Sequence, residues 1–134
     1  MGKQDPRSTY EALKAQGMTA TFVIGAEAAN VKNVAIQLRD EEDTALGERA
    51  SVSAYFSDDA NGDSLIATAP SGAVAIGTDG VLYDVGAAKK VFVLSSEANG
   101  RINVNITEAG VKTLYVIVVL PSGRHVASGA VTWA

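Results

Sequence analysis

Cysteine is absent from the sequence. That excludes disulfides and thiolate metal sites, so apolar burial has to hold the fold together. Histidine occurs once, at His125, and a zinc site would have to be completed by carboxylates alone. Aromatic residues make up 6% of the chain, so the core must be built from Val, Ile, Leu and Ala, a bias toward strands. The longest apolar run, 114–120 (LYVIVVL), is far short of the ~20 residues of a membrane-spanning helix. Residues 1–17 (MGKQDPRSTYEALKAQG) carry basic side chains but no apolar stretch, unlike a secretory signal. Eleven Lys and Arg against fifteen Asp and Glu give a net charge of -4, without the basic footprint that a nucleic-acid partner requires. The expectation is a soluble chain made in a cytoplasm, with neither nucleic acid nor membrane as partner.

What is present is 47% hydrophobic residues in 134, enough for one domain with a single core. Ser8-Thr9-Tyr10-Glu11 fits a capping box, and Gly17 supplies a left-handed stop, which predicts a helix of about two turns. A helix that short needs a surface to dock on. Tyr10 and Leu13, with Met18, are its candidate anchors, packing either on the domain's own sheet or on a partner. The expected division is an arm over 1–17 and a β domain over 18–134.

From Thr19 onward the apolar period is two. Strands are predicted at 19–24, 34–38, 50–56, 65–68, 74–76, 81–85, 90–94, 101–107, 112–120 and 125–133. The cleanest alternation is RINVNIT, in which Ile102, Val104 and Ile106 point to a core and Arg101, Asn103 and Asn105 to water. Residues 116–120 are apolar on both faces, so a second sheet must cover one face and the helix, a loop or a partner the other. Turns at Ala98-Asn99-Gly100, Thr78-Asp79-Gly80 and Pro121-Ser122-Gly123-Arg124 separate the runs. Many short strands with turns between them and no interior helix predict an all-β, immunoglobulin-like antiparallel sandwich, with a jelly roll as the alternative.

Candidate chemistry is sparse. His125 follows a turn without a nucleophile elbow or any other supporting motif, so it reads as a surface histidine and a hydrolase as the least favoured function. Eight of the fifteen acidic residues fall between positions 40 and 63; loops at one end of the sandwich would make an anionic pole there, and otherwise they solubilise turns. Asp59, Asn61 and Asp63 place oxygen donors at alternate positions, as a calcium loop does. Ser64 and Pro70, however, stand where that loop needs Gly and a bidentate Glu. Asn61-Gly62 is therefore read as a turn, with weak cation binding at Asp59, Asn61 and Asp63 as the alternative.

The strings AYFSDDANGDSL, TAPSGAVAIGTDG, INVNITEAG and LPSGRHVASGAVTWA resemble small β-sandwich structural proteins of tailed bacteriophages and prophages, over roughly 19–134. The resemblance implies an immunoglobulin-like, non-enzymatic virion component with no cofactor and no catalytic residue. The most direct role it implies is a capsid decoration or cement protein on the head surface, bound to the major capsid protein as a homo-oligomer, with a trimer favoured. Tyr10, Leu13 and Phe22 would then be the partner-contacting anchors. The alternative is a tail, fibre or head-surface domain that binds a host-surface ligand through its loops.

Overall fold

A computed structural model describes residues 17–134. The predicted helix, with Tyr10 and Leu13, lies outside the described residues. Ten strands follow: β1 (Thr19–Ile24), β2 (Val31–Arg39), β3 (Ser51–Ser57), β4 (Val74–Ile76), β5 (Val81–Asp84), β6 (Val91–Ser95), β7 (Arg101–Thr107), β8 (Lys112–Val119), β9 (His125–Ala127) and β10 (Val131–Trp133). They form two antiparallel sheets, β1-β2-β7-β4 and β10-β8-β3-β6-β5, with β9 also paired to β8. The first four take the places of the ABED sheet of an immunoglobulin domain, and β3, β8 and the β9-β10 pair those of the CFG sheet. The β5-β6 hairpin is added to the free edge of β3. The fold is an immunoglobulin-like sandwich and not a jelly roll.

Period-two patterning makes the core. Val34, Ile36 and Leu38 from β2 and Ile102, Val104 and Ile106 from β7 meet Val52, Ala54 and Phe56 from β3 and Phe92 and Leu94 from β6, all buried. Phe56 and Phe92 pack edge to face with centroids 5.0 Å apart, a favoured aromatic geometry. Trp133 is fully buried, and its Nε1–H donates to the Asn30 carbonyl at 3.0 Å.

Two predicted strands come out differently. The 125–133 run is broken, because Tyr115 and Val116 of β8 face three residues, Ser128, Gly129 and Ala130, between the pairs Ile117–Ala127 and Leu114–Val131. This is a β-bulge. The buried Ser128 hydroxyl accepts from the Val116 N–H and donates to the Gly129 carbonyl, so the extra residue leaves little of the ladder unpaired. The 65–68 run is part of a long crossover from β3 to β4, held by one bridge, Ser57 to Leu65. Ile66 is nonetheless a core residue. Lys89, Lys90 and Lys112 each donate from Nζ to a carbonyl of this crossover, at Gly72, Ala67 and Thr68.

Candidate functional site

The outer faces of the two sheets differ in chemistry, and the difference follows from the register. Outward positions of sheet β1-β2-β7 include Thr21, Asn33, Ala35, Gln37, Arg39, Arg101, Asn103 and Asn105. The Asn33 amide hydrogen bonds to those of both Asn103 and Asn105. This is a wet face, as the alternation of RINVNIT predicts. In the pairing of the other sheet, Tyr83 lies opposite Val93, Val93 opposite Ser53, and Tyr55 opposite both Val91 and Ile117. This face carries an apolar band instead.

The band is open at its β5 end. Val81, Tyr83 and Val85 are 38%, 58% and 47% exposed, beside half-buried Val91 and Val93. Beyond Val81, an apolar groove of about 360 Å³ runs between edge strands β4 and β5, lined by Val74, Ala75, Ile76, Gly80, Val81 and Leu82. An edge strand normally bears lysine, proline or a covering loop. β5 reads Val-Leu-Tyr-Asp and has only Asp84 for that purpose.

At its other end the band is covered by the protein itself. The 58–64 loop folds back so that Gly62, with φ +79°, lies on Ile117 and Tyr55, and Ile117 is fully buried although it is not part of the inter-sheet core. Tyr55 donates its hydroxyl hydrogen to the Gly62 carbonyl. Burial and the nearby Asp63 charge push the Tyr55 pKa above its usual 10.0. The second cover predicted for 116–120 is this loop.

The 58–64 loop is a hydrogen-bonded turn. The Asp59 carboxylate accepts from the Asn61 N–H at 3.0 Å, the Asp59 carbonyl accepts from Gly62 N–H, and Asp58 accepts from Ala67 N–H. Among the described residues no three His, Cys, Asp or Glu side chains converge on a common point. The conditional anionic pole does not form. Residues 40–48 lead toward the start of β3 and residues 58–63 leave its end, which are about 20 Å apart for a seven-residue strand. Asp40 is a buried turn former whose Oδ1 accepts from Glu42 N–H and Thr44 N–H.

His125 starts β9 and is exposed. Its Nδ1 is 3.4 Å from the Tyr55 hydroxyl, and the two rings meet edge to face at 6.0 Å. Phe22 is half-buried against the core and pairs in register with Ile36, so part of its surface is already used inside the domain. Gly17 packs against Glu41, which places the entry of the chain into β1 beside the 40–43 turn.

Two features carried no signal in the sequence. Glu108 is 5% exposed; it accepts from the Ser71 hydroxyl at 2.6 Å and from Ser71 and Gly110 N–H groups, and Lys112 lies 3.7 Å away. The Ser71 hydrogen bond is the main reason its pKa is held below 4.5, against the upward push of burial. The second is a hollow of about 350 Å³ on the wet face, lined by Thr21, Gln37, Arg39, Asp79, Arg101 and Asn103 around Ala35 and Val23.

No protein-family model matches the chain, and no curated protein matches it significantly. Among solved structures it is similar to the outer membrane decaheme cytochrome OmcA, at 18% identity and a TM-score of 0.41 over 85% of this chain. The chain spans only 18% of that protein's length. It is also similar to the GAE domain of GGA2p from Saccharomyces cerevisiae, at 10% identity and a TM-score of 0.25 over 98% of this chain and 91% of that one. Both likenesses are too distant to bear on function.

Proposed function

We propose that this is a non-enzymatic virion structural protein, a capsid decoration protein that docks as a homo-oligomer on the major capsid protein lattice. The resemblance of its turn and strand strings to phage sandwich proteins motivates the reading. The observation that carries it is the open apolar band at Val81, Tyr83 and Val85, continuous with the β4-β5 groove. Exposed apolar edges are an aggregation hazard in a protein that works alone. In a lattice protein they are the part that is covered on assembly.

A stable contact needs about 800 Å² from each partner, and Tyr83 supplies the kind of aromatic anchor on which such contacts concentrate their energy. A trimer would multiply individually weak contacts through effective concentration. The arm residues Tyr10 and Leu13 would add to the same attachment. Purified protein mixed with heads that lack it should co-sediment to a saturating, high copy number. No co-sedimentation, with the protein folded, would remove the reading.

The second reading is a tail, fibre or head-surface domain that binds a host-surface ligand, and the hollow on the wet face favours it. A low copy number per particle, located on the tail, would select this reading over decoration.

A further inference from the structure

We infer that the hollow on the outer face of the β1-β2-β7 sheet is a binding site for a polyhydroxylated carboxylate. The inference does not depend on the decoration reading, because it concerns the opposite sheet. The hollow exists because one position in the middle of the face is small. Ala35 lies between Val23 on β1 and Asn103 on β7, while its neighbours in the next row are Thr21, Gln37 and Arg101. A methyl group surrounded by longer side chains leaves a floor with polar walls.

The walls hold opposite charges that do not neutralise each other. Arg101 donates from Nε to Gln37 Oε1 at 3.4 Å; among the described residues its terminal nitrogens form no hydrogen bond and no carboxylate lies within 4.0 Å of it. Asp79 is half-buried beside β7, where its carbonyl accepts from the Asn103 N–H, and its carboxylate forms no hydrogen bond or ion pair among the described residues. Arg39 is held at the rim by Thr21 Oγ1 and the Asp43 carbonyl. A guanidinium and a carboxylate that face one hollow without closing on each other suit a ligand with complementary groups at both ends. The arginine fork matches a carboxylate.

Asp79 can accept only from donors, which hydroxyl groups supply. Asn103 and Thr21 both donate and accept, as hydroxyls require. The Gln37 amide is already engaged, its Nε2 donating to the Leu38 and Asn99 carbonyls and its Oε1 accepting from Arg101, so it positions the guanidinium. Asn103 is held in place by its amide bonds to Asn33, so its part of the site is organised before any ligand arrives. Among the described residues no aromatic ring lines the hollow, so recognition there rests on charge and hydrogen bonding rather than stacking. A volume of about 350 Å³ is at the small end of ligand sites. The ligand is either a free hydroxy acid or the acidic sugar residue of a glycan.

The test is a titration of the full chain followed by amide NMR shifts, with gluconate, glucuronate and a glucuronate-terminated disaccharide as probes, and glucose and acetate as controls. Saturable shifts are expected at Ala35, Gln37, Arg101 and Asn103 with the hydroxylated carboxylates. Arg101→Ala should weaken them at least tenfold, and Ala35→Leu, which fills the hollow, should abolish them. Tighter binding of the disaccharide assigns the site to a glycan, and equal or weaker binding to a free hydroxy acid. The inference is overturned if no probe gives saturable shifts, if acetate binds as well as gluconate, or if Ala35→Leu leaves binding unchanged.

Discussion

Tyr55 reaches seven residues along its own chain to donate to the Gly62 carbonyl, and Gly62 in turn lies on Ile117. The acidic loop is thus the cover of an apolar sheet face. A side chain at 62 would meet Ile117 Cδ1 and the Tyr55 hydroxyl at 3.0 Å, with φ at +79°. Gly62→Ala should destabilise the domain by about 1–3 kcal/mol, from backbone strain and displacement of the loop. Tyr55→Phe should cost about 1 kcal/mol. Urea unfolding of both variants checks this; a Gly62→Ala midpoint equal to that of the parent contradicts it.

The same loop predicts indifference to calcium. Asp58 and Asp59 each accept from a backbone N–H group, and a ligand that binds only the folded state must raise stability by mass action. Millimolar calcium should leave Tm unchanged against a chelator control. A rise that saturates with calcium would restore the cation reading.

Glu108 sets an acid limit. Its folded pKa is below its usual 4.5, so its contribution is complete above about pH 4.5 and is lost as pH falls through the lowered value. Glu108→Gln should cost about 1–3 kcal/mol at neutral pH and flatten the stability profile below pH 4.5. Unfolding midpoints from pH 3 to 7 test this; a variant profile as steep as the parent's contradicts it. Tyr55 sets the alkaline counterpart. Its raised pKa means that its contribution is complete below pH 10.0 and is lost above it.

Trp133 is the single tryptophan and is fully buried, so the folded protein should emit at short wavelength and shift to the red on unfolding. Trp133→Ala should cost about 3–5 kcal/mol. Emission typical of a solvated indole under native conditions would contradict the packing of β10.

The strands were legible where one face is wet and the other dry. RINVNIT alternates cleanly, as does β3 from Ser51 to Phe56, and β1, β4 and β7 have the predicted bounds. The bulge at Ser128 was hidden because a buried serine beside Gly129 looks like any strand residue until its hydroxyl is seen to replace a ladder bond. The 65–68 run read as a strand because Leu65 and Ile66 are apolar, yet only Ile66 is buried. The hollow depends on Ala35, Arg101 and Asp79 meeting from three segments, a relation set by strand order, which local periodicity does not contain. The apolar band is similar: each of Val81, Tyr83 and Val85 is unremarkable in the sequence, and their exposure follows from β5 being an edge.

The central claim is that the β5 end of the apolar band docks on a capsid lattice, and the direct measurement is co-sedimentation of the protein with heads that lack it. Val81→Lys and Tyr83→Lys place charge on exposed positions of an edge strand, where surface substitutions cost little stability. The account predicts that the parent saturates the heads, while both variants keep the parent's unfolding free energy to within about 0.5 kcal/mol and lose most of the binding. Folded variants that decorate heads as fully as the parent would contradict it.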